Sequence, residues 1–148
     1  DSPLGTAGAL SLLSDPSQPI LVANADLVSN IDFTALLKYH KKNSNDATVA
    51  VKKKTYEIPL GISQMEGSNV ISIEEKPKFE YFVNVGFYVI EPSVLGLIKR
   101  GKKTEMPDFL NLLIKKKYQL GAFPLHENWR DVGNPYELRM ANHDLLDS

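Results

Sequence analysis

The sequence contains no cysteine. Disulfides, thiolate nucleophiles and cysteine zinc sites are therefore excluded, and the absence fits a reducing, cytoplasmic setting. An excess of one charge is lacking too: 17 Lys and Arg stand against 18 Asp and Glu, a net charge of −1. No global field draws such a chain to nucleic acid or to an anionic membrane, so neither is expected as a partner. No apolar run approaches the length that crosses a bilayer. Histidine is scarce: His40, His126 and His143 are the only three, and none has metal-pair spacing on a helix. Paired-histidine acid–base chemistry is not expected. The Gly-x-Ser-x-Gly elbow, the Walker-type glycine loop and the complete dinucleotide fingerprint are all absent.

What is present suits a globular domain. The chain has 148 residues, 43% hydrophobic and 24% charged, enough for one domain with a core. Lysines cluster at 52–54 and 115–117, where they read as solvated ends of a strand and a helix. The most informative stretch is 71–88. Ile71 and Ile73 alternate with polar residues, the pattern of a half-buried strand. Pro77 ends that strand, which leaves Glu75 and Lys76 at its C-terminal end, where open α/β sheets bind ligands. Phe82 to Ile90 is apolar except for Asn84 and reads as an interior strand. Gly86 within it either marks a bulge or makes room for a ligand or another backbone.

The remaining segments alternate strands with helices. Residues 3–13 read as a turn and a helix with Thr6 as N-cap. The amides of that turn could hold a base edge or an anion, or simply begin a helix. Ile20 to Leu27 is apolar until Asn24 and Asp26, as in a parallel strand covered on both faces. Asp26 emerges at its C-terminal end, either to hold a cation or to cap a turn. Residues 31–43 form an amphipathic helix with Phe33, Leu36, Leu37 and His40 on one face, His40 at the core edge. Residues 47–51 read as an interior strand, and 57–64 as another containing Gly61. Residues 66–69 form a hairpin turn. Pro92 opens a helix that Gly101 ends, and Thr104 caps the next, with Pro107 in its first turn. Leu120 to Leu125 is a short strand. Trp129 and Asp131, two apart, face the same side of an extended segment; Trp129 is otherwise a core anchor and Asp131 a turn former. Asn134 caps a last helix from Pro135 carrying Leu138, Ala141 and Leu145. Two separated aspartates near strand ends, Asp26 and Asp131, suit magnesium-assisted phosphoryl chemistry.

Five pieces together resemble the sugar-1-phosphate nucleotidylyltransferases. They are Leu4-Gly5-Thr6-Ala7-Gly8-Ala9, Asn24-Ala25-Asp26, Glu75-Lys76-Pro77, Asn84-Val85-Gly86-Phe87-Tyr88 and Trp129-Arg130-Asp131-Val132-Gly133. Their order and spacing span essentially the whole chain. The resemblance lies nearest the guanylyltransferase-like branch that acts on mannose, glucosamine or heptose 1-phosphate in bacterial glycan pathways. It implies an α/β, Rossmann-like fold: a mixed, mainly parallel sheet flanked by helices. It implies transfer of a nucleotidyl group from a nucleoside triphosphate, GTP favoured, to a sugar 1-phosphate. Leu4, Gly5, Thr6 and Ala7 would contact the nucleobase. Asp26 and Asp131 would hold Mg2+. Gly61, Glu75, Asn84 and Gly86 would line the sugar pocket, with Lys76 on the sugar phosphate.

Three features depart from the family pattern. Ala25 stands where a glycine more often precedes the aspartate, and Leu60 stands where an aromatic residue usually precedes the pocket glycine. The glycine-rich loop with its arginine, and the lysine-bearing strand that follows it, are not among these residues. The chain is therefore expected to be the C-terminal portion of one nucleotidylyltransferase domain, inactive alone. Exposed sheet edge or apolar surface is expected with it, covered for instance in a homodimer. The alternative is a catalytically dead module that binds a sugar nucleotide or a partner subunit.

Overall fold

The computed structural model describes residues 3–133. The helix expected from Pro135, its cap Asn134 and His143 lie outside the described residues. In chain order the elements are α1 (Gly5–Gly8), which runs into a 3-10 turn (Ala9–Leu12), β1 (Ile20–Ala23), β2 (Leu27–Ser29), α2 (Phe33–Lys42), β3 (Ala47–Glu57), β4 (Gly61–Glu66), β5 (Asn69–Glu75), β6 (Lys78–Ile90), α3 (Pro92–Leu95), α4 (Met106–Lys115), β7 (Leu120–Pro124) and β8 (Trp129–Asp131).

A central sheet has the strand order β1-β6-β3-β7. A mixed sheet with helices on both sides is the expected class. Its parallel content is smaller than expected. Among the described residues β3–β7 is the one parallel pairing, while β1–β6 and β3–β6 are antiparallel. The connections explain this. Only the β4–β5 hairpin links β3 to β6, which runs back along β3, and the segment bearing α3 and α4 then starts β7 at the end of the sheet where β6 stops, so β7 runs with β3. β1 and β3 do run the same way, on either side of β6. Among the described residues the apolar run at 20–23 pairs with β6 alone, antiparallel, and not as a parallel interior strand.

Alternation on β6 divides the core. Tyr88 and Ile90 join Val94, Met106, Phe109 and Leu113 on the side of α1, α3 and α4. Val85, Phe87 and Val89 join Leu36, Ala50 and Leu125 on the side of α2. Helix α2 is capped by Asp32, whose side chain accepts from the Ala35 amide at 3.0 Å. Its last turn carries His40, Lys41 and Lys42 at the negative end of the dipole.

His40 sits deeper than a core-edge residue: it is fully buried. Nε2 donates to the Glu91 carboxylate at 3.0 Å, and Nδ1 lies 2.8 Å from the Thr48 hydroxyl, which also accepts from Asn45 Nδ2 at 2.9 Å. Each buried polar group has a partner, and this makes the burial tolerable. Replacement by alanine removes two hydrogen bonds and leaves a cavity. His40→Ala should destabilise the fold by about 2–4 kcal/mol, read as a lower midpoint of chemical denaturation.

The strand expected over 47–51 continues through its lysines to Glu57. Cross-strand pairs hold this arm: Lys53 Nζ to Glu80 Oε1 at 2.8 Å, Lys78 Nζ to Glu57 Oε2 at 3.1 Å, and Tyr56 against Tyr81 at 6.1 Å between centroids. Glu57 thus ends β3, and the strand expected over 57–64 begins only at Gly61, since Pro59 breaks the ladder between them. The hairpin turn at Gly67 and Ser68 forms as expected, with Gly67 at φ +58°. Ile71 and Ile73 are not half-buried; they are 60% and 72% exposed. The β4–β5 pair is a separate sheet, so among the described residues the alternation has no core to face. Leu60, Met65, Val70, Tyr81 and Phe82 are exposed as well. Helix α3 ends at Leu95 rather than near Gly101, with Gly96 as its C-cap. Helix α4 takes Glu105, not Thr104, as its N-cap.

Candidate functional site

The two aspartates meet. Asp26 lies in the turn between β1 and β2. Strand β2 pairs antiparallel with β8, which places Leu27 opposite Asp131. The Val132 amide donates to the Asp26 carbonyl at 2.9 Å. Gly133 shows how close the carboxylates come. A Cβ there would lie 2.9 Å from Asp26 Oδ2 and 3.0 Å from Asp131 Oδ1. Only a residue without a side chain leaves that space open. The Gly133 amide donates to Asp131 Oδ1 at 2.9 Å and helps fix its direction.

Two carboxylate oxygens facing one small space fit a hard divalent cation. Magnesium is bound through one or two carboxylates, with waters and substrate phosphates completing its shell. Among the described residues no group of three or more His, Asp or Glu could hold a metal; Asp26 and Asp131 offer two carboxylates.

Beside the pair opens a cavity of about 380 Å³. Thr6, Asn84, Gly86 and Asp131 line it, as do Asn24 and Glu105, which sequence reasoning had not singled out for a role. Gly86 marks a bulge, and what crowds it is neither a ligand nor another backbone. The register slips there, from Val49 opposite Tyr88 to Val51 opposite Asn84. Its φ is +81°, and a Cβ would come within 2.8 Å of Asn24 Nδ2 and of Leu27 Cδ1. The close approach is made by side chains. The Asn24 amide also donates to the Gly86 carbonyl at 2.9 Å, tying the aspartate turn to β6. Asn84 Oδ1 accepts from the Gly86 amide at 2.9 Å. Burial pushes the Tyr88 phenol above its ordinary range, and a hydrogen bond from Asn84 opposes that shift. Trp129 is a core anchor that also lines the cavity; its Nε1 donates to the Val85 carbonyl at 2.9 Å.

Gly61, Glu75 and Lys76 form a second group at the base of the β4–β5 hairpin, and none of them is among the residues lining the cavity. Gly61 pairs with Glu75, whose Oε2 would lie 2.9 Å from a Cβ on Gly61. Lys76 has φ +47°, and its amide donates to the Leu60 carbonyl at 3.3 Å.

The Leu4–Ala7 turn differs from expectation. Leu4, not Thr6, occupies the N-cap position. The amides expected to be open are bonded internally. Thr6 N donates to Glu105 Oε2 at 3.2 Å, and the Ala7 and Gly8 amides donate to the Thr104 carbonyl at 2.9 and 3.1 Å. The Thr6 amide, an ion pair with Lys103 and the Thr6 hydroxyl hold the Glu105 carboxyl below its usual range. The signal that could have found Glu105 is an acid directly before a helix whose second residue is Pro107.

The sequence matches the Nucleotidyl transferase family over residues 1–148. It is 34% identical over 155 residues to "Probable mannose-1-phosphate guanylyltransferase 3" of Oryza sativa subsp. japonica, covering 99% of this chain and 43% of that relative. It is 30% identical over 141 residues to "Mannose-1-phosphate guanylyltransferase catalytic subunit beta" of Danio rerio, covering 90% of this chain and 39% of that relative. The chain thus spans less than half the length of these relatives. The solved structure of HddC from Yersinia pseudotuberculosis superposes with a TM-score of 0.68 at 20% identity, covering 98% of this chain and 64% of that one. That likeness carries the fold.

Proposed function

The chain belongs to the nucleotidyl transferase family, and from that membership we propose that it serves a sugar-1-phosphate nucleotidylyltransferase, which joins a nucleoside triphosphate and a sugar 1-phosphate into a nucleotide-sugar and pyrophosphate. The observation that carries this reading is the meeting of Asp26 and Asp131 across Gly133 beside the cavity. The names of the relatives favour GTP and mannose 1-phosphate as the first pair to test. A role for the product in glycan assembly belongs to the same proposal, as do a cytoplasmic location and a homodimer. No helix among the described residues is long and apolar enough to cross a membrane.

The chemistry asks for positioning. A phosphate oxygen of the sugar phosphate attacks the α-phosphorus in line, the bond to the β-phosphate oxygen breaks, and pyrophosphate leaves. No covalent enzyme intermediate is needed, so orientation and charge neutralisation supply the catalysis. Asp26 and Asp131 would hold Mg2+, which when bound supplies charge stabilisation at phosphate oxygens. Asn84 and Gly86 would shape the sugar side of the cavity, and the Leu4–Ala7 turn would meet the nucleobase. Gly61, Glu75 and Lys76 are proposed for the sugar and its phosphate on the Glu75-Lys76-Pro77 resemblance, and not on the cavity lining.

Pyrophosphate release tests the proposal. The full protein should turn over with Mg2+, fastest with GTP and a hexose or heptose 1-phosphate among the common nucleotide and sugar combinations. These 148 residues alone should not, because they contain no glycine-rich triphosphate loop. Robust activity of these residues alone would refute the second expectation. Silence of the full protein with every pair would reject the enzyme and favour a regulatory module.

A further inference from the structure

We propose that Glu105 is a positioning residue whose carboxylate locks the Leu4–Ala7 turn against the start of α4 in the shape a nucleotide base would meet. The inference rests on the reading of that turn as the nucleobase contact.

The bonding is reciprocal. Glu105 Oε2 accepts from both the amide and the hydroxyl of Thr6, each at 3.2 Å. The Thr6 hydroxyl oxygen in turn accepts from the Met106 amide at 2.7 Å. Met106 is the first residue of α4, where the amide has no partner within the helix. The arrangement is a capping box divided between two segments, each side chain satisfying an amide of the other, 99 positions away. Glu105 makes no cap bond within its own helix.

The glycine before Thr6 supports this. Gly5 has φ +72°, and a Cβ there would lie 2.6 Å from the Thr104 carbonyl oxygen and 3.0 Å from Glu105 Oε1. The clamp therefore closes over a bare Cα. Thr6 and Glu105 both line the cavity, whereas Leu4, Gly5 and Ala7 do not, so the locked Thr6 is the part of the turn that faces a ligand there. Backbone bonds hold the two segments together independently, from the Thr104 amide to the Leu4 carbonyl and from the Ala7 and Gly8 amides to the Thr104 carbonyl. Losing the carboxylate should thus loosen the Thr6 peptide without unfolding the chain.

The test uses the full protein and three variants. Glu105→Ala should raise the KM for GTP by about tenfold, the scale of one well-placed hydrogen bond, and leave the KM for the sugar 1-phosphate within about twofold. Glu105→Gln keeps an oxygen that accepts the same two bonds and should restore most of the GTP KM. Lys103→Ala removes only an exposed ion pair of 3.3 Å and should shift the GTP KM by less than about twofold. Amide hydrogen exchange without substrate reads the clamp itself: Glu105→Ala should speed exchange at Thr6 more than at Ala7 and Gly8. Unchanged exchange at Thr6 overturns the proposal alone. Faster exchange with an unchanged GTP KM overturns it together with the nucleobase reading of the turn. Equal rises in both KM values, or Lys103→Ala matching Glu105→Ala, also overturn it.

Discussion

Asp131→Asn in the full protein should lower turnover by roughly two to three orders of magnitude while leaving the melting temperature nearly unchanged. Asparagine keeps the shape and retains an oxygen for the Gly133 amide, which bonds Asp131 Oδ1 at 2.9 Å. What it removes is one of two negative charges that face the same small space. Both aspartates are exposed, so no buried partner loses its counter-charge. Relief of repulsion between two neighbouring carboxylates offsets part of any lost bonding. The activity loss should therefore come without a stability loss. Asp26→Asn should behave the same way, and the double variant should be little worse than either single one, because groups that act as a unit are not additive. Addition of Mg2+ gives a readout apart from turnover: it should raise the melting temperature of the wild type and not of either variant. Turnover within about threefold of wild type in Asp131→Asn would remove the pair from the reaction. Multiplicative losses in the double variant would give the two carboxylates separate tasks.

The aspartates are legible one at a time from local pattern, and their meeting only through the family resemblance. Each stands at the end of an apolar or aromatic stretch, so a carboxylate delivered to a ligand site can be read locally. Their contact depends on β2 and β8, strands of three residues each, too short to show a period. The same limit hid Glu105. A bond to a residue 99 positions away leaves no spacing to recognise, and a turn with apparently open amides looks the same in sequence whether a ligand or a distant carboxylate fills it. Periodicity misled where no second layer exists. Ile71 and Ile73 alternate as a half-buried strand would, yet burial needs a partner surface, and among the described residues β5 has only β4 beside it. The apolar run at 20–23 read as a parallel interior strand, but direction is set by connections: a hairpin between β3 and β6 forces the antiparallel return that a composition cannot encode. Gly86 was readable as a special position because glycine inside an apolar strand always needs a reason. The reason itself, the side chains of Asn24 and Leu27, required coordinates.

Gly86→Ala should destabilise the fold by about 2–4 kcal/mol and impair the site in the same step. Two effects act together. At φ +81° a side chain strains the backbone, and the added Cβ would sit 2.8 Å from both Asn24 Nδ2 and Leu27 Cδ1. Leu27 is held by its packing, and the Asn24 side chain has to turn aside within a segment tied to β6. The Asn24 amide is bonded to the Gly86 carbonyl, Leu27 packs against the α2-side core, and Asp26 lies between them in sequence. A shift that relieves the contact therefore moves the aspartate turn, so turnover should fall as well as stability. Gly67→Ala separates the two effects. Gly67 also has a positive φ, +58°, but no atom lies within 4 Å of its Cβ position, so it reports backbone strain alone, about 1 kcal/mol. Chemical denaturation of both variants gives the difference. A Gly86→Ala loss no larger than that of Gly67→Ala would mean that the crowding at Asn24 and Leu27 is not what keeps this position a glycine.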